Sequence, residues 1–344
     1  MTITALIPTK NRAALLRRAI NSVQSQKYKN VKICVRDNGS TDNTQEMVRG
    51  LQSVDCRVNY MMLNKDIGAH ENFRQGMQNI DTEYFSILSD DDYLHEDFYN
   101  NGIDLLEKNP TADFVVFSVD IVDIEQNFIS NNEISGNSKI ATYYTSHEGI
   151  VHYLENRIPI TWTGYIFRKR VSEEIDLGDF SEVGYGADIR FIWHAACRFD
   201  FVVSGLKGAF FTAHSNTTSG QFVKAFDERF IFWWRNRIHL ILRDYKINAV
   251  AREILEEFYF KNTKKRYGDK SYYLMAAFGL VSKRLAANEE KELRFDFIAM
   301  RSFLPAYMIF FVKYFYSPLV KTGLAVKLRD LTVFCRDSVR RVLS

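Results

Sequence analysis

Within the first 120 residues, short apolar runs alternate with stretches whose apolar side chains recur at helical spacing, and each run ends in a polar or acidic turn. Strands alternating with helices in this way specify an α/β fold built on a mostly parallel central sheet. Thr2–Ile7 is the first expected strand, stopped by Pro8. Thr9 or Asn11 then caps a helix over Ala13–Gln24, with Leu15, Leu16, Ile20 and Val23 on its inner side. Strands follow at Val31–Val35, Arg57–Leu63, Phe85–Leu88 and Phe114–Val119, with helices near Thr44–Leu51, Asn72–Ile80 and Glu96–Lys108 between them. In sheets of this class ligands bind beyond the carboxyl ends of the strands, where Thr9, Asp37 and Asp90–Asp92 fall.

The sharpest of these strand ends is Phe85-Ser86-Ile87-Leu88-Ser89-Asp90-Asp91-Asp92. Three adjacent carboxylates repel one another and stay ionised at low cost only if solvent or a cation compensates them. An isolated triplet of this kind reads most simply as a solvated turn. Hard oxygen ligands also suit Mg²⁺ or Mn²⁺, which take one or two carboxylates and fill their remaining positions with phosphate oxygens and water.

Beyond residue 120 the pattern loosens. Asp120–Tyr144 is polar, as hairpins or a loop would be. His147–Asn156 has helical spacing, Thr161–Phe167 strand character, and Gly184-Tyr185-Gly186 forms a turn before a helix over Asp188–Cys197. Phe201–Phe211 is strand material interrupted by Gly205 and Gly208, and a hydroxyl-rich stretch, Ser215–Ser219, follows His214. From about Phe226 the expected structure is helical. The chain thus divides into 1–225 and a helical, basic, aromatic-rich region, 226–344. Hydrophobic residues make up 46% of the sequence, which argues against disorder, and its four cysteines show neither metal-site nor disulfide spacing. A reducing, cytoplasmic setting is expected.

Charge is unevenly placed. Of 45 Lys+Arg and 42 Asp+Glu, 22 and 11 lie from Arg235 onward, so the first 234 residues are net acidic and the remainder net basic. A basic back end suggests an anionic partner surface. Leu324, Leu328, Leu331, Cys335, Val339 and Val342 share one helical face, opposite Arg329, Arg336 and Arg340. Such a helix fits an anionic membrane surface at the inner face of the plasma membrane, and equally a packed helix or a homo-oligomer interface. The apolar run Phe303–Val312 is too short to span a bilayer.

Four segments together resemble family 2 glycosyltransferases with the GT-A fold. Ile7-Pro8-Thr9-Lys10-Asn11-Arg12 is similar to the family's opening "IPTYNR", and Asp37-Asn38-Gly39-Ser40-Thr41-Asp42 to its "D-x-S-x-D" turn. Asn64-x-x-x-Gly68-x-x-x-Asn72 resembles an Asn/Gly loop, and Leu88–Asp97 the "DxD" segment, with Ser89 replacing its first acid. The resemblance covers residues 1–120 strongly and 160–220 weakly, so 1–120 is the expected nucleotide-sugar half and 121–225 the acceptor side. It implies a nucleoside-diphosphate sugar donor held by Pro8, Thr9, Asn11, Arg12, Asp37, Asn38, Lys65, Gly68, Asn72 and Asp90. It further implies Mn²⁺ or Mg²⁺ on Asp91, Asp92 and His214, although a lone His is more often structural. Gly186-Ala187-Asp188 resembles the segment that carries the family's general base. Ala187 replaces the first acid there, leaving Asp188 as base or as helix cap, with Asp179 and Glu182 as alternatives. The acceptor implied is a saccharide, lipid-linked in many relatives; no nucleic-acid partner is expected. A nucleotidyltransferase is the rival enzyme, though Pro8–Arg12 lacks the glycines of a phosphate loop. A non-catalytic nucleotide-sugar-binding scaffold at the membrane stays open because of Ser89 and Ala187.

Overall fold

The computed structural model describes residues 1–132, 141–154, 158–178 and 187–214, with 249–250 and 253. In chain order the elements are β1 (Ile3–Thr9), α1 (Ala13–Gln24), β2 (Val31–Asp37), α2 (Thr44–Val54), β3 (Val58–Met62), α3 (Ala69–Gln78), β4 (Tyr84–Ile87), β5 (Tyr93–Leu94) and α4 (Phe98–Lys108). They continue with β6 (Phe114–Val122), β7 (Phe128–Asn132), β8 (Ala141–Tyr144), α5 (Ser146–Leu154), β9 (Tyr165–Arg168), α6 (Lys169–Glu174), α7 (Ala187–Arg198) and β10 (Phe201–Thr212). The expected turn at 184–186, Asp179, Glu182, the Ser215–Ser219 stretch and the helices of the C-terminal third lie outside the described residues.

One sheet runs in the order β3-β2-β1-β4-β9-β6-β10-β5, with β7 beside β6 and β8 beside β10. β3, β2, β1 and β4 are parallel, as the alternation requires, and so are β6 and β10. Between the two parallel groups, β9 runs antiparallel to both β4 and β6. β5, β7 and β8 are antiparallel as well. All of β1 is buried, and Ala13, Leu16, Ala19, Ile20 and Val23 of α1 pack toward the sheet. The abundant aromatics fill the second half: Phe114 stacks on Phe201 at 4.5 Å, and Phe85 on Phe167 at 5.1 Å. Such pairs add to burial a geometric preference of about 0.5–1.5 kcal/mol.

Two local expectations are corrected. Pro8 does not stop β1; it pairs in register with Arg36, and the strand runs on to Thr9. The Leu6 carbonyl accepts from the Leu88 amide on the β4 side, and the Thr9 carbonyl accepts from the Asn38 amide on the β2 side. Alternate residues therefore face alternate neighbours, so the Pro8 nitrogen faces the β4 side, where the pairing with β4 ends at Leu6–Ile87, while the β2 side continues to Thr9. Neither Thr9 nor Asn11 caps α1. Arg12 occupies the cap position, and Asp42 from the next turn accepts the Ala13 amide at 3.3 Å. In β10, Gly205 and Gly208 do not break the strand but fall where its register against β6 shifts, as in a bulge.

Candidate functional site

β4 ends at Ile87, which delivers Asp90, Asp91 and Asp92 to the carboxyl edge of the parallel strands. They are not a solvated turn, for their exposures are only 6%, 7% and 1%. The protein itself supplies the compensation. Thr9 Oγ1 donates to Asp90 Oδ2 at 2.7 Å. Arg12 Nη1 lies between two carboxylates, 3.0 Å from Asp90 Oδ1 and 2.9 Å from Asp91 Oδ2. His214 Nε2 meets the same Asp91 oxygen at 3.2 Å. Burial pushes the Asp90 carboxyl up to about 6; Arg12 counters part of that rise and Asp91 adds to it. Asp92 is held well above the usual carboxylate range, first by burial and then by the charge of Asp91.

Asp92, expected beside Asp91 as a metal ligand, is held from within the protein. Thr163 donates its hydroxyl to Oδ2, and the Thr212 amide donates to Oδ1 at 2.8 Å, so both oxygens are engaged inside the protein. Among the described residues no three His, Cys, Asp or Glu side chains converge to hold an ion. Asp91 and His214 remain as a carboxylate–imidazole pair, a donor set that fits Mg²⁺ or Mn²⁺ when phosphate oxygens and water complete the shell. Thr163 owes its position to Gly164, whose φ of +99° an L side chain rarely adopts and whose Cβ would lie 2.8 Å from Val119 Cγ2. Gly164→Ala should therefore cost about 1–3 kcal/mol, visible as a lower midpoint in urea unfolding, and should loosen the hold on Asp92.

The β1 and β2 turns form a second cluster. Asp37 Oδ1 accepts the Ser40 amide at 2.8 Å, and Oδ2 accepts the Tyr60 hydroxyl at 2.5 Å. Asn11, at φ +53°, joins the two turns, its amide donating to Ser40 Oγ and its Oδ1 accepting from the Thr41 amide. Asn38 is spent on the following loop: Nδ2 donates to Asp66 Oδ1 at 2.6 Å, and Oδ1 accepts the Ile67 amide at 2.9 Å. Asp66 also takes the Gly68 amide and pairs with Lys10. Gly68, at φ +85°, opens α3, while Asn72 is buried and donates to the Arg36 carbonyl at 3.0 Å. Lys65 is exposed. Of the expected donor-binding residues, then, Thr9, Arg12 and Asp90 join the acid cluster. Asn38 and Asn72 stand beside them with bonds inside the protein, Asn38 to Asp66 and the Ile67 amide and Asn72 to the Arg36 carbonyl.

Asp188 lies in the first turn of α7, half-buried, with Oδ1 accepting the Ile189 amide at 2.8 Å. Burial pushes its carboxyl up to about 6. Its helix reaches the acid segment through residues 162–163. Trp162 packs between Phe73 of α3 at 6.2 Å and Phe191 of α7 at 5.3 Å, and the adjacent Thr163 holds Asp92.

Sequence reasoning missed Arg18, Tyr60, Thr163 and Thr212. Arg18 left a trace: it shares a helical stripe with Leu15 and Ser22 beside the apolar face of α1. The others left none, because their partners are remote in sequence.

The family model for glycosyl transferase family 2 matches residues 4–175, half of the chain, spanning the acid segment and both turns and ending before Asp188 and His214. Over 93 residues the chain is 37% identical to the GalNAc(5)-diNAcBac-PP-undecaprenol beta-1,3-glucosyltransferase of Campylobacter jejuni, an alignment covering 27% of this chain and 30% of that protein. Abequosyltransferase RfbV of Salmonella typhimurium is 32% identical over 100 residues, 28% of this chain and 30% of its own. Each alignment thus takes in under a third of the relative's length. Among solved structures, S. aureus TarS 1-349 in complex with UDP-GlcNAc matches with a TM-score of 0.60 over 83% of this chain and 81% of that one, at 13% identity, a likeness of fold. A parallel half-sheet carrying the acid segment at its carboxyl edge, in a stretch that the family model matches from β1 through α6, places the chain in glycosyl transferase family 2, with the GT-A fold.

Proposed function

We propose that the chain transfers a sugar from a nucleoside-diphosphate sugar to a hydroxyl of a saccharide acceptor, with inversion at the anomeric carbon, in bacterial surface-polysaccharide synthesis. The observation that carries this reading is the cluster of Thr9, Arg12, Asp90, Asp91 and His214 at the strand ends. Cleavage at the sugar leaves a nucleoside diphosphate with growing negative charge, and that charge needs fixed cationic partners. Arg12 offers one, and Asp91 with His214 would hold Mg²⁺ or Mn²⁺, which supplies Lewis-acid stabilisation when bound. Asp37 and its turn serve the nucleoside, and Asp188 takes the acceptor's proton. The relatives named for sugar transfer, one of them on an undecaprenol-linked saccharide, support the substrate classes.

Thermal-shift measurement against UDP- and GDP-sugars, with and without Mn²⁺, tests donor binding, since a ligand of the folded state raises apparent stability by mass action. Product analysis separates the rivals. A transferase releases nucleoside diphosphate, a nucleotidyltransferase pyrophosphate, and a scaffold neither.

Among the described residues no helix is long and apolar enough to cross a membrane. The basic C-terminal third favours peripheral contact with an anionic lipid surface on the cytoplasmic side. Deleting residues 321–344 should weaken co-sedimentation with anionic vesicles, and the wild-type interaction should fade as salt shortens the Debye length. Wild-type protein that ignores such vesicles at low salt would assign the segment to the core or to an oligomer interface.

A further inference from the structure

Arg18 is tied to the acid segment from a different element and by neutral acceptors. It stands on α1, and its Nη2 donates to the Asp91 carbonyl at 2.6 Å and to Thr212 Oγ1 at 2.8 Å. Its guanidinium lies over the Tyr93 ring, 4.8 Å from the centroid, and Tyr93 stacks on Phe210 of β10 at 4.4 Å. Four residues later on the same face of α1, Ser22 Oγ accepts the Leu94 amide at 3.1 Å. One helix face therefore grips the main chain of the acid segment at two points.

Thr212 is the joint between this grip and the end of β10. Its hydroxyl accepts from Arg18, its amide donates to Asp92 Oδ1 at 2.8 Å, and His214 two residues on faces Asp91 Oδ2 at 3.2 Å. The Asp91 main chain and the start of the His214 segment are thus fastened to one guanidinium. A planar fork suits this position because it stacks on Tyr93 while donating in its own plane, which an ammonium does not do.

Resting on the reading of Asp91 and His214 as the diphosphate end of the site, we propose that Arg18 and Thr212 are positioning residues that set the separation of the Asp91 carboxylate and the His214 imidazole. Neither has to touch donor or cation to do so. Outer partners of ligating side chains typically contribute ~10–100-fold in affinity or activity.

The test uses the full chain with Mn²⁺ and UDP or GDP as probes. Bound Mn²⁺ is read from the loss of the free-ion paramagnetic resonance signal, beside thermal melting and donor turnover. Arg18→Lys and Thr212→Val should each melt near wild type, weaken nucleotide-dependent Mn²⁺ retention by ~10-fold or more and raise KM for donor. Thr212→Ser, which keeps hydroxyl and amide, should restore wild-type retention. The double variant Arg18→Lys/Thr212→Val should be little worse than either single change, because the two residues act through one joint. Wild-type retention in both single variants overturns the proposal, as does a loss that tracks melting temperature and is not rescued by Thr212→Ser. A wild-type protein that retains no Mn²⁺ with either nucleotide overturns the reading of the site itself, and the proposal with it.

Discussion

Asp91→Asn is expected to abolish sugar transfer while leaving the fold at least as stable as wild type. Asp91 shares a single oxygen with Arg12 and His214, and among the three acids only its carboxylate is not committed to a partner in β1 or to the interior. Losing its charge removes the anchor for a cation at the diphosphate, an electrostatic loss worth about 10²–10³-fold or more in turnover. The same loss relieves repulsion on both neighbours, since the charge of Asp91 helps to raise both Asp90 and Asp92. Arg12 keeps Asp90 as a partner, so no buried guanidinium is orphaned. Turnover should fall to background with an unchanged or higher melting temperature, and Mn²⁺ should no longer add to stabilisation by nucleoside diphosphate. Undiminished wild-type turnover in chelator would remove the metal from the mechanism.

Asp188→Asn bears on the proton. An acceptor hydroxyl ionises far above neutrality, and a carboxylate that takes its proton as the new bond forms contributes ~10²–10⁴-fold. The variant is nearly isosteric and can still accept the Ile189 amide, so it separates catalysis from the carboxylate's local role in the first turn of the helix. Donor and Mn²⁺ binding should be unchanged while transfer falls within that range. The pH dependence follows from burial. With its carboxyl pushed up to about 6, Asp188 is a competent base only above that pH, so wild-type activity should rise through an acidic limb near 6. The folded group binds its proton more tightly than the unfolded one, so its contribution to stability falls as pH rises from about 4 to about 6. Asp188→Asn escapes that loss and should melt at or above wild type at pH 7. Asp90 is also pushed up to about 6, so any acidic limb that survives in the residual activity of the variant belongs to the strand-end cluster. Unchanged transfer would dismiss Asp188 as the base, and Asp179 and Glu182 would be tested next.

What the sequence determined by itself is what local periodicity and turn chemistry encode. Among the described residues the apolar runs did become β1 to β4 and β6, the amphipathic stretches of the first 120 residues did become α1 to α4, and the polar turns did fall at one edge of the sheet. Asp90 and Asp91 could be placed beside Thr9 because parallel strands joined by helices bring successive strand ends together. Pro8 shows the limit of a local rule. Whether a proline ends a strand depends on which neighbour its nitrogen faces: Pro8 faces β4, where pairing ends at Leu6, while the β2 side pairs on through Thr9. The insertion of β9 between β4 and β6 has no local signature either, because strand order is settled by which faces can be buried together.

The charges of the site were decided only by the tertiary structure. Asp92 depends on Thr163, 71 positions away, Asp91 on His214, 123 away, and the grip of Arg18 on Thr212 spans 194. Nothing in a run of three aspartates says which of them is turned inward. That is set by where a hydroxyl from the turn before β9 and an amide from the end of β10 arrive, since a buried carboxylate settles where donors satisfy both of its oxygens. The residue types foretold a compensated anionic cluster; only the packing of β1, β10 and the turn before β9 around it assigned the compensation to Arg12 and to Thr9, Thr163 and Thr212.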